Sequence, residues 1–179
     1  MARQNKKYDY IIIGAGSAGC VLANRLSEDS QNQVLLVEAG PKDYDPMIKI
    51  PLLWMQFVKK RRLDWGYDTQ PESFMDGREI ECVRGRVVGG CSSINAMTVV
   101  RGNAGDYQRW QKTGLDHWGF NDVLPYFKKI ENWEDEINPE SQNEYRGTNG
   151  PLKVRFSKYQ DPLYTAYLEA ADNIGLGLA

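Results

Sequence analysis

The chain has 179 residues, with 22 Lys and Arg against 24 Asp and Glu and a net charge of −2. That length supports one real core and parts of a second, and so even a charge balance argues against nucleic acid or an anionic membrane surface as partner. Three cysteines (Cys20, Cys82, Cys91) without metal-type spacing, no apolar stretch of membrane-spanning length and a polar start, MARQNKK, without a signal-type apolar segment make a reducing, cytoplasmic setting the expectation.

In chain order, Tyr10-Ile11-Ile12-Ile13 reads as a short strand buried on both faces, as in a parallel sheet. It runs into Gly14-Ala15-Gly16-Ser17-Ala18-Gly19, a G-x-G-x-x-G turn opening a helix over Ser17 to about Ser27. Ala18, Val21, Leu22 and Leu26 form its predicted sheet-facing stripe. A second apolar strand, Val34 to Val37, ends at Glu38. Strand, glycine turn, helix, strand and terminal acid together make a βαβ dinucleotide site. Gly14 permits the turn, Gly16 admits a pyrophosphate, Gly19 lets helix and strand approach, and Glu38 is placed to accept from a ribose diol. The pattern alone does not separate FAD from NAD.

Pro41 to Pro71 is irregular and rich in aromatics, and its basic run Lys59-Lys60-Arg61-Arg62 reads as a solvated turn. Trp65 to Pro71 alternates like a strand, Asp76-Gly77 marks a hairpin tip, and Ile80 to Val83 is the return strand. The stretch Gly85-Arg86-Val87-Val88-Gly89-Gly90-Cys91-Ser92-Ser93-Ile94-Asn95-Ala96-Met97 crowds small residues and exposed N–H groups into a ligand-facing loop. Further on, a short amphipathic helix begins at Asp106, and Asn121 is the predicted N-cap of another, with Pro125 in or near its first turn. Glu131 to Glu144 reads as an exposed acidic loop, Leu152 to Arg155 as a strand and Pro162 to Ile174 as a helix.

These residues carry a resemblance. GAGSAG, Glu38-Ala39-Gly40 and GRVVGGCSSINAM followed by Arg101-Gly102 are similar to the glucose–methanol–choline (GMC) flavin-dependent oxidoreductases, as are WGYDTQP, DYQRW and VLPYF. The likeness runs from about Tyr8 to the last residue, with the choline-dehydrogenase-like and aryl-alcohol-oxidase-like bacterial group as the most similar members. It implies an α/β, Rossmann-like FAD-binding fold, incomplete here. Residues 1–40 would be the βαβ core, 41–84 a lid or connecting segment, 85–110 a flavin-contacting loop and helix, and 111–179 the start of the substrate-domain region. It makes the dinucleotide FAD. Gly14, Gly16, Ser17, Ala18 and Gly19 would hold the pyrophosphate, and Glu38 and Ala39 the adenosine ribose. Trp65, Arg86 and Val87 would lie along the cofactor, and Gly89, Gly90, Asn95, Ala96, Met97 and Thr98 around the isoalloxazine.

The resemblance also implies an activity: oxidation of an alcohol to an aldehyde or ketone, with hydride passing to flavin N5 and oxygen or another acceptor reoxidising the flavin. A flavin-scaffold lyase or fatty-acid photodecarboxylase of the same family is the rival, and a stand-alone nucleotide-binding fragment a third reading. Members that attach FAD covalently carry His where this chain has Ile94, so non-covalent FAD is expected. Their catalytic His pairs with a second His or an Asn near the carboxyl end of a much longer chain. The only His here, His117, matches no catalytic motif. No catalytic or metal-binding residue is therefore assigned, and the chain is expected to work with the remaining carboxyl-terminal part of the same enzyme on a small-molecule alcohol, without nucleic acid or membrane.

Overall fold

The computed structural model describes residues 6–135, 144–159 and 161–176. Chain contacts divide it between Thr98 and Val99 into an amino-terminal and a carboxyl-terminal unit.

In the amino-terminal unit β1 (Tyr10–Ile13) and β2 (Val34–Val37) pair in parallel, Tyr10 opposite Val34 and Ile13 opposite Val37. Parallel strands need a crossover, and α1 (Ser17–Leu26) supplies it. Two expectations about this unit need correcting. The apolar run of β1 predicts burial on both faces, but Ile12 is buried while Ile11 and Ile13 are 62% and 86% exposed. The stripe Ala18, Val21, Leu22 and Leu26 does not face the sheet as a set, since Ala18, Val21 and Leu22 are exposed. Gly19 is buried instead, with Ala23 and Leu26 half-buried on the same helix face. Close approach of Gly19 to the turn sets the rotation of the helix, and two strands cover only one of its sides.

The connecting segment is more ordered than its irregular pattern predicts. Two 3-10 turns, Pro46–Lys49 and Pro51–Leu53, lead into α2 (Trp54–Lys60). A seven-residue helix that buries only Phe57 leaves no period to read. Phe57 meets Val87 and Ile94 in the core of this unit, with Met47, Ile48, Leu63 and Val83 against them. The arginines of the basic run are used internally. Arg61, in a left-handed conformation (φ 47°), ion-pairs with Asp64 and Asp68 and donates to the Tyr67 carbonyl, and Arg62 reaches Asp45 at 2.6 Å. Strand β3 (Tyr67–Asp68) pairs antiparallel with β4 (Glu81–Cys82), shorter than predicted. The Asp76-Gly77 tip takes the left-handed conformations that such a tip requires (φ 56° and 69°).

Asp64 ties this hairpin to the loop that follows it. Its side chain is fully enclosed; it accepts from the Arg84 N–H at 2.7 Å and pairs with Arg61 at 3.4 Å. Burial works against its charge, but the backbone N–H groups of Arg84 and Gly66 and the Arg61 guanidinium outweigh it and hold the carboxyl below the usual carboxylate range. A group whose pKa is depressed by folding stabilises above its unfolded value, near 4, and loses that contribution as pH falls through the folded value. Asp64→Asn is therefore expected to lower the urea midpoint at neutral pH, and the gap from the parent should narrow as pH drops below about 4. A gap independent of pH would refute this role.

In the carboxyl-terminal unit α3 (Ala104–Lys112) starts slightly earlier than predicted, because Asn103 and Asp106 form a capping box. Tyr107 packs its ring against Phe120 and Phe127 of α4 (Phe120–Ile130) at 6.0 and 5.9 Å. The predicted N-cap Asn121 lies inside α4. Gly119 is the cap, its N–H donating to the Asp122 carboxylate at 3.0 Å, so Pro125 falls in the helix interior. The expected acidic loop from Glu131 to Glu144 begins instead as β5 (Glu131–Trp133), parallel to β6 (Leu152–Val154); residues 136–143 lie outside the described residues. Glu131 is only 2% exposed. Helix α5 (Pro162–Asn173) follows, capped by the Asp161 side chain.

Candidate functional site

The site is built where β1 passes into α1. Gly14 leaves the strand with φ +96°, a left-handed conformation that costs glycine nothing, while its N–H donates to the Val37 carbonyl at 2.7 Å. Gly16 caps α1 and brings no side chain to the N–H groups of the first turn, Ser17 and Ala18 among them. A Cβ built on Gly16 meets nothing within 4 Å. The helix end, with its partial positive charge, thus faces free space, which suits an anion. A Cβ on Gly19 would overlap the Gly14 carbonyl oxygen and come within 3.4 Å of Ile12. The missing side chain is what lets α1 settle on the turn.

Glu38, at the end of β2, bends back across this turn. One carboxylate oxygen accepts from the Ala15 N–H and the other from the Gly40 N–H, both at 2.7 Å. Ala39 between them is exposed. The space a Cβ would need at Gly40 is taken by the Arg86–Val87 peptide, and Val88 N–H donates to the Pro41 carbonyl at 3.0 Å. The second glycine loop then closes on the first. Gly89 N–H donates to the Ala15 carbonyl at 2.7 Å, and Gly90 (φ +56°) lies so near that a Cβ there would stand 2.8 Å from Gly16 Cα.

Past this junction Gly90–Ser93 winds a 3-10 turn. Ser92 and Ser93 spend their hydroxyls on it, donating to the Gly89 and Val88 carbonyls at 2.5 and 2.8 Å. Asn95 accepts from the Met97 N–H at 2.9 Å, and Asn95, Ala96, Met97 and Thr98 are all exposed. Cys91 is also exposed, with Gly85 N–H donating to its sulfur at 3.3 Å. Trp65 stacks parallel to Tyr67 at 6.0 Å and carries the Arg86 guanidinium 5.0 Å from its ring centre. Val87 is fully buried against Phe57 and Ile94, so its side chain serves the core and only its backbone borders the loops.

The structure thus gathers Gly14, Gly16, Gly19 and Glu38 with Gly89 and Gly90, and sets Arg86 on Trp65. Sequence reasoning gives Gly40 no role of its own beyond the Glu38-Ala39-Gly40 likeness and assigns none to Ala15. A glycine two residues past the acid that ends the strand is the signal for the first; Ala15 gives none, because its role is carried by backbone atoms. His117 belongs to the carboxyl-terminal unit, exposed and left-handed at φ 66°. Among the described residues no helix is long and apolar enough to cross a membrane, and no group of three or more His, Cys, Asp or Glu could hold a metal ion.

Residues 8–179 match the family described as GMC oxidoreductase. Among curated relatives, the oxygen-dependent choline dehydrogenase of Rhizobium etli (strain CIAT 652) is 44% identical over 167 residues, 93% of this chain and 30% of the relative. Among solved structures, pyridoxine 4-oxidase from Mesorbium loti aligns with a TM-score of 0.81 and 37% identity, over 94% of this chain and 32% of that one. An FAD-dependent oxidoreductase from Chaetomium thermophilum aligns at 0.77 and 32%, over 94% and 30%. The chain spans about 30% of the length of the curated relatives it matches.

Proposed function

The chain belongs to the GMC oxidoreductase family, and from that premise we propose that it is the FAD-binding part of an enzyme that oxidises alcohols to aldehydes or ketones. The observation that carries this reading is the meeting of two glycine loops, Gly89 N–H on the Ala15 carbonyl and Gly90 against Gly16, beside a helix end that no side chain caps. The open side of Gly16 would admit a diphosphate, which Ser17 and Ala18 would hold through backbone N–H groups. Glu38 would take the adenosine ribose, with Ala39 beside it. Trp65 and Arg86 would border the cofactor, and the Val87 backbone, Gly89, Gly90 and the exposed run from Asn95 to Thr98 would face the isoalloxazine. Exposed Ala96 and Thr98 would offer backbone N–H groups to its polar edge and stabilise negative charge there. Bound FAD supplies the two-electron acceptor for the substrate hydride.

Attachment is proposed to be non-covalent, because Ile94 is a hydrocarbon buried to 4% exposure and offers no nucleophile. The base that takes the hydroxyl proton is proposed to come from a carboxyl-terminal part of the same enzyme, since His117, the one histidine of this sequence, matches no catalytic motif. The substrate is proposed to be a small alcohol, in keeping with the choline named for the relatives.

Reconstitution tests this directly. Full-length protein incubated with FAD and desalted should carry about one flavin per chain, released entirely into the supernatant on acid precipitation, and anaerobic choline or benzyl alcohol should bleach it. Colourless protein after reconstitution overturns the cofactor. Flavin retained on the precipitated polypeptide overturns non-covalent attachment, and a flavin that no alcohol bleaches favours the lyase reading.

A further inference from the structure

Glu38 makes two hydrogen bonds that need no ribose. Each carboxylate oxygen already accepts from a backbone N–H, Ala15 in the glycine turn and Gly40 beyond β2. Ala15 is 1% exposed and is gripped from both sides, its N–H by Glu38 and its carbonyl by Gly89 N–H at 2.7 Å and Cys20 Sγ at 3.2 Å. Gly40 is likewise pressed on the Arg86–Val87 peptide. One carboxylate therefore joins the phosphate turn to the segment on which the second glycine loop rests. A carboxylate accepts only, and two backbone donors converging on it are charge-assisted bonds, the strong kind.

We propose that Glu38 is a positioning residue: it clasps the glycine turn to the end of β2 and sets the phosphate site in shape before any cofactor binds. The clasp rests on the FAD reading above and adds to the ribose contact proposed there. Each carboxylate oxygen keeps a further lone-pair direction, so both tasks fit one side chain. Glu38→Gln separates them. A glutamine amide can still exchange hydrogen bonds with ribose hydroxyls, but it offers one acceptor for two backbone donors and turns its NH₂ on the other.

The experiment uses full-length protein stripped of FAD and two ligands, FAD and an FAD analogue lacking the 2′- and 3′-hydroxyls of the adenosine ribose. Glu38→Gln is expected to weaken both ligands about tenfold, as for one lost charge-assisted bond, and to speed hydrogen exchange at the Ala15 and Gly40 amides of the FAD-free protein. If the ribose is the only partner of Glu38, the analogue binds parent and variant alike and exchange does not change; either result overturns the clasp. A readout without any variant stands beside these. In the FAD-free parent the Ala15 and Gly40 amides should be protected, and free exchange there overturns the proposal as well. A parent that binds neither ligand sinks the FAD reading instead, and the exchange data still decide the clasp.

Discussion

Gly16→Ala is expected to leave stability within about 0.5 kcal/mol of the parent yet weaken FAD about a hundredfold, as two charge-assisted phosphate bonds are lost. Its neighbour on the same motif, Gly19→Ala, is expected to do the opposite first, costing about 3 kcal/mol of stability before any ligand is added. Gly16 sits at φ −78° and ψ −171°, backbone that alanine adopts freely, and its new methyl meets no protein atom within 4 Å. That methyl would stand where the diphosphate is proposed to bind. The Gly19 methyl would overlap the Gly14 carbonyl oxygen, a backbone atom, so either α1 lifts off the strand or the turn distorts. Urea denaturation of the FAD-free proteins and flavin titration of each variant separate the two. Equal stability loss from both substitutions would falsify this division of labour.

The second large effect is expected in the carboxyl-terminal unit. Glu131, whose side chain is 3% exposed, takes Arg101 Nη2 at 2.5 Å, Arg146 Nη1 at 3.1 Å and the Gly147 N–H at 2.8 Å. Arg101 also donates to the Tyr145 carbonyl and lies 5.5 Å from the Phe127 ring centre, while Arg146 stands 4.0 Å over Trp133. Glu131→Ala takes from two guanidinium groups the counter-charge they share, and removing one partner of a buried ion pair costs about 3–5 kcal/mol. Against a typical total of about 5–15 kcal/mol, a loss of that size would bring a marginal domain close to unfolding. Glu131→Gln should recover part of it, because the amide oxygen can keep one donor. A melting temperature unchanged by Glu131→Ala would show that the carboxylate is solvated and the cluster dispensable.

The contrast between Glu38 and Glu131 shows which parts of the molecule could be read early. Glu38 ends an apolar strand at the spacing the glycine fingerprint demands, so its place beside the glycine turn was legible from local pattern alone. Glu131 lies at the head of an acidic stretch, where charge and polarity predict solvent. It is buried because Arg101 and Arg146, far from it in the chain, converge on it, and no local pattern encodes that. The helix over Trp54–Lys60 was missed for a related reason: one buried residue, Phe57, holds it, through contacts made elsewhere. Val87 stood in a loop full of ligand-facing signals but turned inward, since the same core needed a branched apolar side chain.

By itself the amino-acid sequence determined the βαβ unit, the two glycine loops as the residues to watch, the hairpin tip at Asp76-Gly77 and the family resemblance. Each of these is a short-range property: a period, a turn that needs glycine, or a fixed spacing along the chain. Only the tertiary structure decided that the two loops meet at Ala15 and Gly16, and that Glu38 is already engaged by backbone N–H groups. It alone placed Gly40 against the Arg86–Val87 peptide. Each of those contacts has a main-chain group on at least one side, and main-chain atoms are the same in every residue. Side-chain pattern therefore could not announce them; they exist because the glycines leave room and the fold brings the backbones together.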